Sequence, residues 1–325
     1  MTPTLAVNVD TLMEEVRSPF LPGSKVQFAW DSTSLGYLKT CPRLYQYIMI
    51  EGYSSKDESI HLRFGIEYHR ALQDYDLARA SGRSFDEAMV DTITELHARI
   101  WDWEPDRDTK AGNYKNRDSL FSVVVDYIDH FRNDPAKTLI LDNGSPAVEL
   151  SFRFELDWGP ISMQPYMLSG HLDRVVEFQD SLFVMDRKTT TLALGQYYFA
   201  QYEPNNQMTI YTLASKVVLD SPVRGVIIDA VQILKEKPHD FQRGFTYRTE
   251  EQLQEWVDGL QYWFATAETY AKENYWPMND TACDKFGGCM FRGICSKSPQ
   301  VRQAFLDSNF IKLEEKDRWN PLKPR

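Results

Sequence analysis

The chain has 325 residues, of which 42% are hydrophobic and 26% charged, and a formal net charge of −11; these values exclude a disordered or fibrous protein and leave room for a large core. The acidity argues against a protein that coats nucleic acid indiscriminately, because phosphate binding draws on Lys and Arg, but it permits a DNA enzyme whose acids are neutralised by a divalent metal. No apolar run approaches the ~20 residues that span a bilayer, and the first residues lack the basic and apolar stretches of a secretory signal, so the expected setting is the cytoplasm, away from membranes.

In chain order, residues 1–30 are mixed and expected to be peripheral. A helical region follows over residues 31–145. Hydroxyl residues at Ser32 open a helix interrupted near Pro42, a second helix is expected from Leu62 to Ser81, and a third from Ser84 to Trp103. The stretch DRDTKAGNYKNRDS is polar, with Gly and Asn, and predicts an exposed loop before a helix ending at His130. Within it, Arg107 to Arg117 carries four basic residues around Tyr114, either a solvated loop or a phosphate contact.

The pattern changes after Pro146, where AVELSFRFEL alternates as a half-buried strand does. Residues 146–275 are expected to form a central mixed sheet flanked by helices, an α/β (α+β) arrangement. Two strands joined at Gln179-Asp180-Ser181 come first, then a helix from Asn206 to Leu219, strands at Gly225 to Leu234 and Phe241 to Tyr247, and a long helix from Glu250 to Glu273. Residues 276–325 form a Cys-rich segment and tail, and 31–325 is expected to be one compact unit.

The chemistry concentrates on that hairpin. Asp173 lies near one end of its first strand and Asp186 near the far end of its second, so the two carboxylates can meet. Close acids repel unless they share a proton or a cation, and hard oxygen ligands suit Mg²⁺ or Mn²⁺. Lys188, two residues after Asp186, points to the same face; there it can orient a metal-bound water or stabilise charge developing on phosphorus. Glu149, on the preceding strand, is a further candidate acid.

The ordered set Gly65-Ile-Glu-Tyr-His69, Gly170-His-Leu-Asp173, Met185-Asp186-Arg-Lys188-Thr189 and Gln207-Met-Thr-Ile-Tyr211 resembles the RecB-like branch of the PD-(D/E)XK nucleases, over most of the chain. The resemblance implies a restriction-endonuclease-like core with an N-terminal helical region and a C-terminal Cys-rich segment. It implies that His69, Asp173 and Asp186 bind the metal with the Arg187 carbonyl, that Lys188 is catalytic, and that Gln207 and Tyr211, on one helix face, contact substrate or brace the site. The activity implied is DNA hydrolysis by an exonuclease acting on single-stranded or end-resected DNA in recombination, repair, phage DNA processing or spacer capture. No Gly-x-x-x-x-Gly-Lys-Ser/Thr loop is present, so a helicase, like a recombinase or CRISPR adaptation protein, would be a separate partner. Rival classes are a non-catalytic DNA-binding or assembly subunit and an iron-sulfur redox protein.

The four cysteines, Cys41, Cys283, Cys289 and Cys295, are the number one [4Fe-4S] cluster needs. A four-thiolate zinc site and unligated thiols are the alternatives. The chain here is similar to the iron-sulfur subset of RecB-like nucleases, which includes the AddB nuclease subunit and CRISPR-associated exonucleases, with one cysteine before the core and three after it. It departs from the usual tail in having gaps of five residues between its last three cysteines.

Overall fold

The computed structural model describes residues 18–159, 164–219, 221–235 and 237–323. Residues 1–17 of the expected peripheral segment lie outside them, but residues 27–30 are buried, a correction to the expected boundary. The elements run β1 (Ala29–Trp30), α1 (Ser32–Thr40), α2 (Pro42–Tyr45), a π-helical turn (Gln46–Ile50), β2 (Tyr53–Ser55), α3 (Ile60–Ala80), α4 (Phe85–Arg99), α5 (Lys110–Tyr114), α6 (Arg117–His130), β3 (Lys137–Thr138), β4 (Val148–Glu155), β5 (Met167–Phe178), β6 (Ser181–Thr190), α7 (Gln196–Ala200), α8 (Asn206–Val218), β7 (Val223–Gln232), β8 (Asp240–Thr246), α9 (Glu250–Glu273), α10 (Arg292–Cys295), α11 (Arg302–Asn309) and β9 (Phe310–Lys312).

Local chemistry accounts for the element ends. Asp31, not a hydroxyl residue, caps α1 in a reciprocal pairing with Ser34, and α2 restarts with Pro42 at a first-turn position, where its missing N–H costs nothing. Ser84 and Glu87 cap α4, which ends at Arg99 rather than Trp103. The expected exposed loop contains α5, and it buries Lys115 and Asn116; the Asn116 side chain caps α6.

The chain divides into two compact units, each assembled from separated stretches, rather than into one unit of consecutive segments. One comprises the stretch up to Asp57, Ser151–Gly170 and the chain from Thr249 onward. In it β1 pairs in parallel with the first residues of β5, and Trp30 stacks on Tyr45 and on Phe264 of α9, with ring centres 5.6 and 4.7 Å apart. Gly170 is required by packing, since a Cβ there would sit 2.7 Å from the Phe152 ring. β2 and β9 pair antiparallel, tying the early and late stretches together.

The other unit comprises Glu58–Leu150 and His171–Arg248. Its sheet is mixed: β5 and β6 are antiparallel, β6 and β7 parallel, β7 and β8 antiparallel, and the short β3 pairs with the end of β5. The parallel step is the crossover that requires α8 between β6 and β7. Helices α3, α4 and α6 bury Phe64, Tyr68, Leu96, Val123 and Tyr127 against Val231 and Ile233. The mixed sheet flanked by helices agrees with the expected fold class.

The β5–β6 hairpin sets the site. Its turn residues Gln179 and Asp180 have φ of 50° and 57°, the left-handed pair of a two-residue turn whose twist matches the flanking strands. The register runs from Phe178↔Ser181 to Arg174↔Met185, and one step further sets Asp173 opposite Asp186.

Candidate active site

Asp173 and Asp186 are both buried, at 6% and 1% exposure. Asp173 Oδ2 accepts a hydrogen bond from the Arg187 N–H at 3.1 Å and lies 3.1 Å from His69 Nδ1 on α3. Asp186 faces Lys188, whose Nζ is 2.8 Å from Oδ1 and 2.6 Å from Oδ2. The Lys188 ammonium also donates to Gln207 Oε1 at 3.1 Å, and Gln207 Nε2 donates to the Tyr211 hydroxyl at 3.0 Å. The Gln-x-x-x-Tyr spacing places both side chains on one face of α8, so Tyr211, Gln207, Lys188 and Asp186 form one chain of polar contacts.

Glu149 is drawn in as well. It sits in the left-handed region at φ 49°, a conformation that non-glycine residues adopt only under constraint. Ligand atoms of His69, Glu149 and Asp173 lie within 4.8 Å of one another, and among the described residues theirs is the group of acids and histidines close enough to share an ion. Asp186 lies outside that group and is turned onto Lys188.

The electrostatics are those of charges sharing a confined space. Burial pushes Asp186 up to about 6, and the negative charge of Asp173 adds to this while Lys188 opposes it. Burial also acts on Asp173, but the His69 and Lys188 charges and the Arg187 N–H hold its carboxyl well below the usual range. His69 and Lys188 are pulled down by burial and pulled up further by the acids, ending above their ordinary values.

This donor set fits a hard divalent cation: one imidazole and up to three carboxylates, the number and type such ions accept.

Behind β6 is a charge cluster that the motifs did not announce. Arg187 alternates to the other face of β6 from Asp186 and Lys188, is 2% exposed, and donates from Nη2 to Asp76 of α3 at 2.6 Å. Arg174 approaches Asp76 at 3.7 Å, Arg243 grips both oxygens of Asp134 at 2.7 Å and reaches Asp229 at 3.2 Å, and the Tyr127 hydroxyl donates to Asp229. Helix α3 therefore carries His69 to one acid and Asp76 to the adjacent arginine. The available signal was the alternation that puts Arg187 on the face of Met185 rather than that of Asp186 and Lys188, with an acid seven residues after His69 on the same helix.

The cysteines belong to the unit that contains the two chain ends. Cys41, Cys283, Cys289 and Cys295 line one small cavity with Tyr47 and Phe291. The Asn279 N–H donates to Cys41 Sγ at 3.3 Å, and burial, with the neighbouring sulfurs, raises the Cys289 and Cys295 thiols. No three cysteine sulfurs among the described residues lie within 4.8 Å of one another.

A family model for the PD-(D/E)XK nuclease superfamily matches residues 32–296. Among solved structures, a "Putative exonuclease" from Eubacterium rectale is similar at 9% identity and a TM-score of 0.45, covering 80% of this chain and 86% of that one; at that level its activity is said of that protein alone. No curated protein sequence matches. Among the described residues no helix is long and apolar enough to cross a membrane.

Proposed function

Because the chain belongs to the PD-(D/E)XK nuclease superfamily, we propose that it is a divalent-metal-dependent deoxyribonuclease, acting as an exonuclease on single-stranded or end-resected DNA. The observation that carries this reading is the meeting of Asp173, Asp186 and Lys188 at one place on the hairpin, with His69 delivered by α3. His69, Asp173 and Asp186 hold the ion with the Arg187 carbonyl, and Glu149 joins them. A bound Mg²⁺ or Mn²⁺ would lower the pKa of a coordinated water and polarise a phosphate oxygen. Lys188 places a positive charge where negative charge develops on phosphorus. Gln207, braced by Tyr211, fixes that ammonium. The test is incubation of end-labelled single- and double-stranded DNA with the purified protein, with and without Mn²⁺. Metal-dependent shortening from an end is expected, and DNA binding without cleavage would instead identify a non-catalytic subunit.

Metal binding should depend on pH. A carboxylate binds a cation only when deprotonated, and Asp186 is held at about 6. Above that pH Asp186 is free; below it a proton competes there as well as on His69, whose pKa the acids raise, and apparent Mn²⁺ affinity is expected to fall by about tenfold or more per pH unit. Mn²⁺ titrations between pH 5 and 8 check this, and an affinity flat across that range would contradict it.

For the cysteines, the reading is a [4Fe-4S] cluster with a structural role. The four cysteines lining one small cavity support it, since four thiolates are what one such cluster needs. Cys41→Ser is expected to lower iron content and the thermal midpoint together, since the cluster closes a loop of roughly 240 residues. Elemental analysis that finds zinc and no iron overturns this reading.

A further inference from the structure

Lys115 and Gly65 lie beside the catalytic centre without a part in the chemistry above. Lys115 sits between α5 and α6, is 4% exposed, and donates from Nζ to Thr189 Oγ1 at 3.1 Å and to the Thr189 carbonyl at 3.4 Å, one strand residue past Lys188. Its ammonium also lies 5.3 Å from the centre of the Phe64 ring. A lysine has three donors, and two are used here. Among the described residues no carboxylate pairs with it, and burial lowers its pKa to about 8, as befits a desolvated ammonium without an anion. Arg107 and Arg117 of the same basic segment are, by contrast, held by Asp118 and Glu104 at 2.8 and 2.9 Å.

Gly65 lies four residues before His69, hence on the same side of the helix. A Cβ built at Gly65 would meet nothing within 4 Å. Packing therefore does not demand glycine there, although glycine is a poor interior helix residue. What its absence of side chain provides is open space beside His69.

We propose that Lys115 forms a backbone-phosphate subsite for the DNA strand beside the catalytic centre, with the strand crossing α3 over the bare surface at Gly65. The ligand is the substrate of the nuclease reading, on which this assignment rests. A phosphate supplies the anion that the Lys115 ammonium lacks, through its third donor. Lys115 is thus a binding residue that places the strand, and the cleavage chemistry stays with Lys188.

Lys115→Gln retains a donor for Thr189 and removes the charge; Gly65→Leu fills the open space with a better helix former. Binding of a fluorescent single-stranded oligonucleotide to the full chain, followed by anisotropy in Ca²⁺ at several salt concentrations, and cleavage kinetics in Mn²⁺ test both. For Lys115→Gln the expected result is binding weaker by about tenfold and a slope of log affinity against log salt shallower by about 0.7, with KM raised more than kcat is lowered. For Gly65→Leu it is a melting temperature at or above the parent protein's with KM raised. Unchanged affinity and salt slope in Lys115→Gln, or parental kinetics in Gly65→Leu, overturn the subsite. If the parent cleaves while Lys115→Gln keeps its salt slope, the nuclease reading survives and the subsite falls. If the parent binds through Lys115 without cleaving, the subsite survives and the nuclease reading falls.

Discussion

Asp186→Asn is expected to reduce DNA cleavage by about a thousandfold or more and to weaken Mn²⁺ binding, with His69, Glu149 and Asp173 left as the remaining ligands. The amide keeps the shape of the carboxylate and an oxygen for Lys188, but it removes the charge that a divalent cation needs, and with it the activated water. Lys188→Gln makes the complementary case. Its effect falls on charge stabilisation at phosphorus, a contribution of about 10²–10³ in comparable sites, while His69, Glu149 and Asp173 retain their grouping and the ion still binds. Cleavage assays and Mn²⁺ calorimetry on the two variants therefore separate weakened metal binding from loss of the ammonium. Parental activity in Asp186→Asn would remove Asp186 from the mechanism.

Asp76→Ala is expected to destabilise the protein by about 3–5 kcal/mol, the cost of leaving a buried charge without its partner. The Arg187 guanidinium is 2% exposed and donates to Asp76 at 2.6 Å, so solvent cannot replace the lost carboxylate. The surrounding cluster sets Asp76, Asp134 and Asp229 against Arg174, Arg187 and Arg243, and removing one acid leaves an excess of buried positive charge. Urea denaturation with an unchanged slope measures the loss. Replacing both partners, Asp76→Leu with Arg187→Met, should recover much of it, because an apolar pair needs no desolvated counterion. A loss below about 1 kcal/mol in Asp76→Ala would show that the cluster is solvated.

The β5–β6 hairpin was legible because each strand is rich in Val, Leu and Phe and the polar Gln179-Asp180-Ser181 joins them, and the bounds of α9 were legible because Thr249 caps its start and Asn274 ends it in the left-handed region. Other features depended on long-range packing. Polar composition predicted an exposed loop where Lys115 is buried over Phe64, since a lysine carries no mark of the ring it will lie on. Alternation on β4 gave no sign that Glu149 would leave the extended region and turn its carboxylate towards His69. The consecutive division of the chain missed how α9 returns to α1, where Lys39 lies over Trp256 and Trp263, because a contact between residues so far apart leaves no local pattern. Within the site, the motif spacings sufficed for Lys188, Gln207 and Tyr211, which the structure joins in sequence.

The turn at Gln179 and Asp180 acts as a ruler. Asp173 is six residues before the first of them and Asp186 six after the second, so the two arms are of equal length and the acids arrive level. Adding one residue to either arm would slide one strand past the other by about 3.3 Å and send alternate side chains to the wrong surface. The loop can therefore exchange one left-handed-tolerant residue for another, yet it cannot change in length: the placement of the two acids is calibrated at a bend that touches neither.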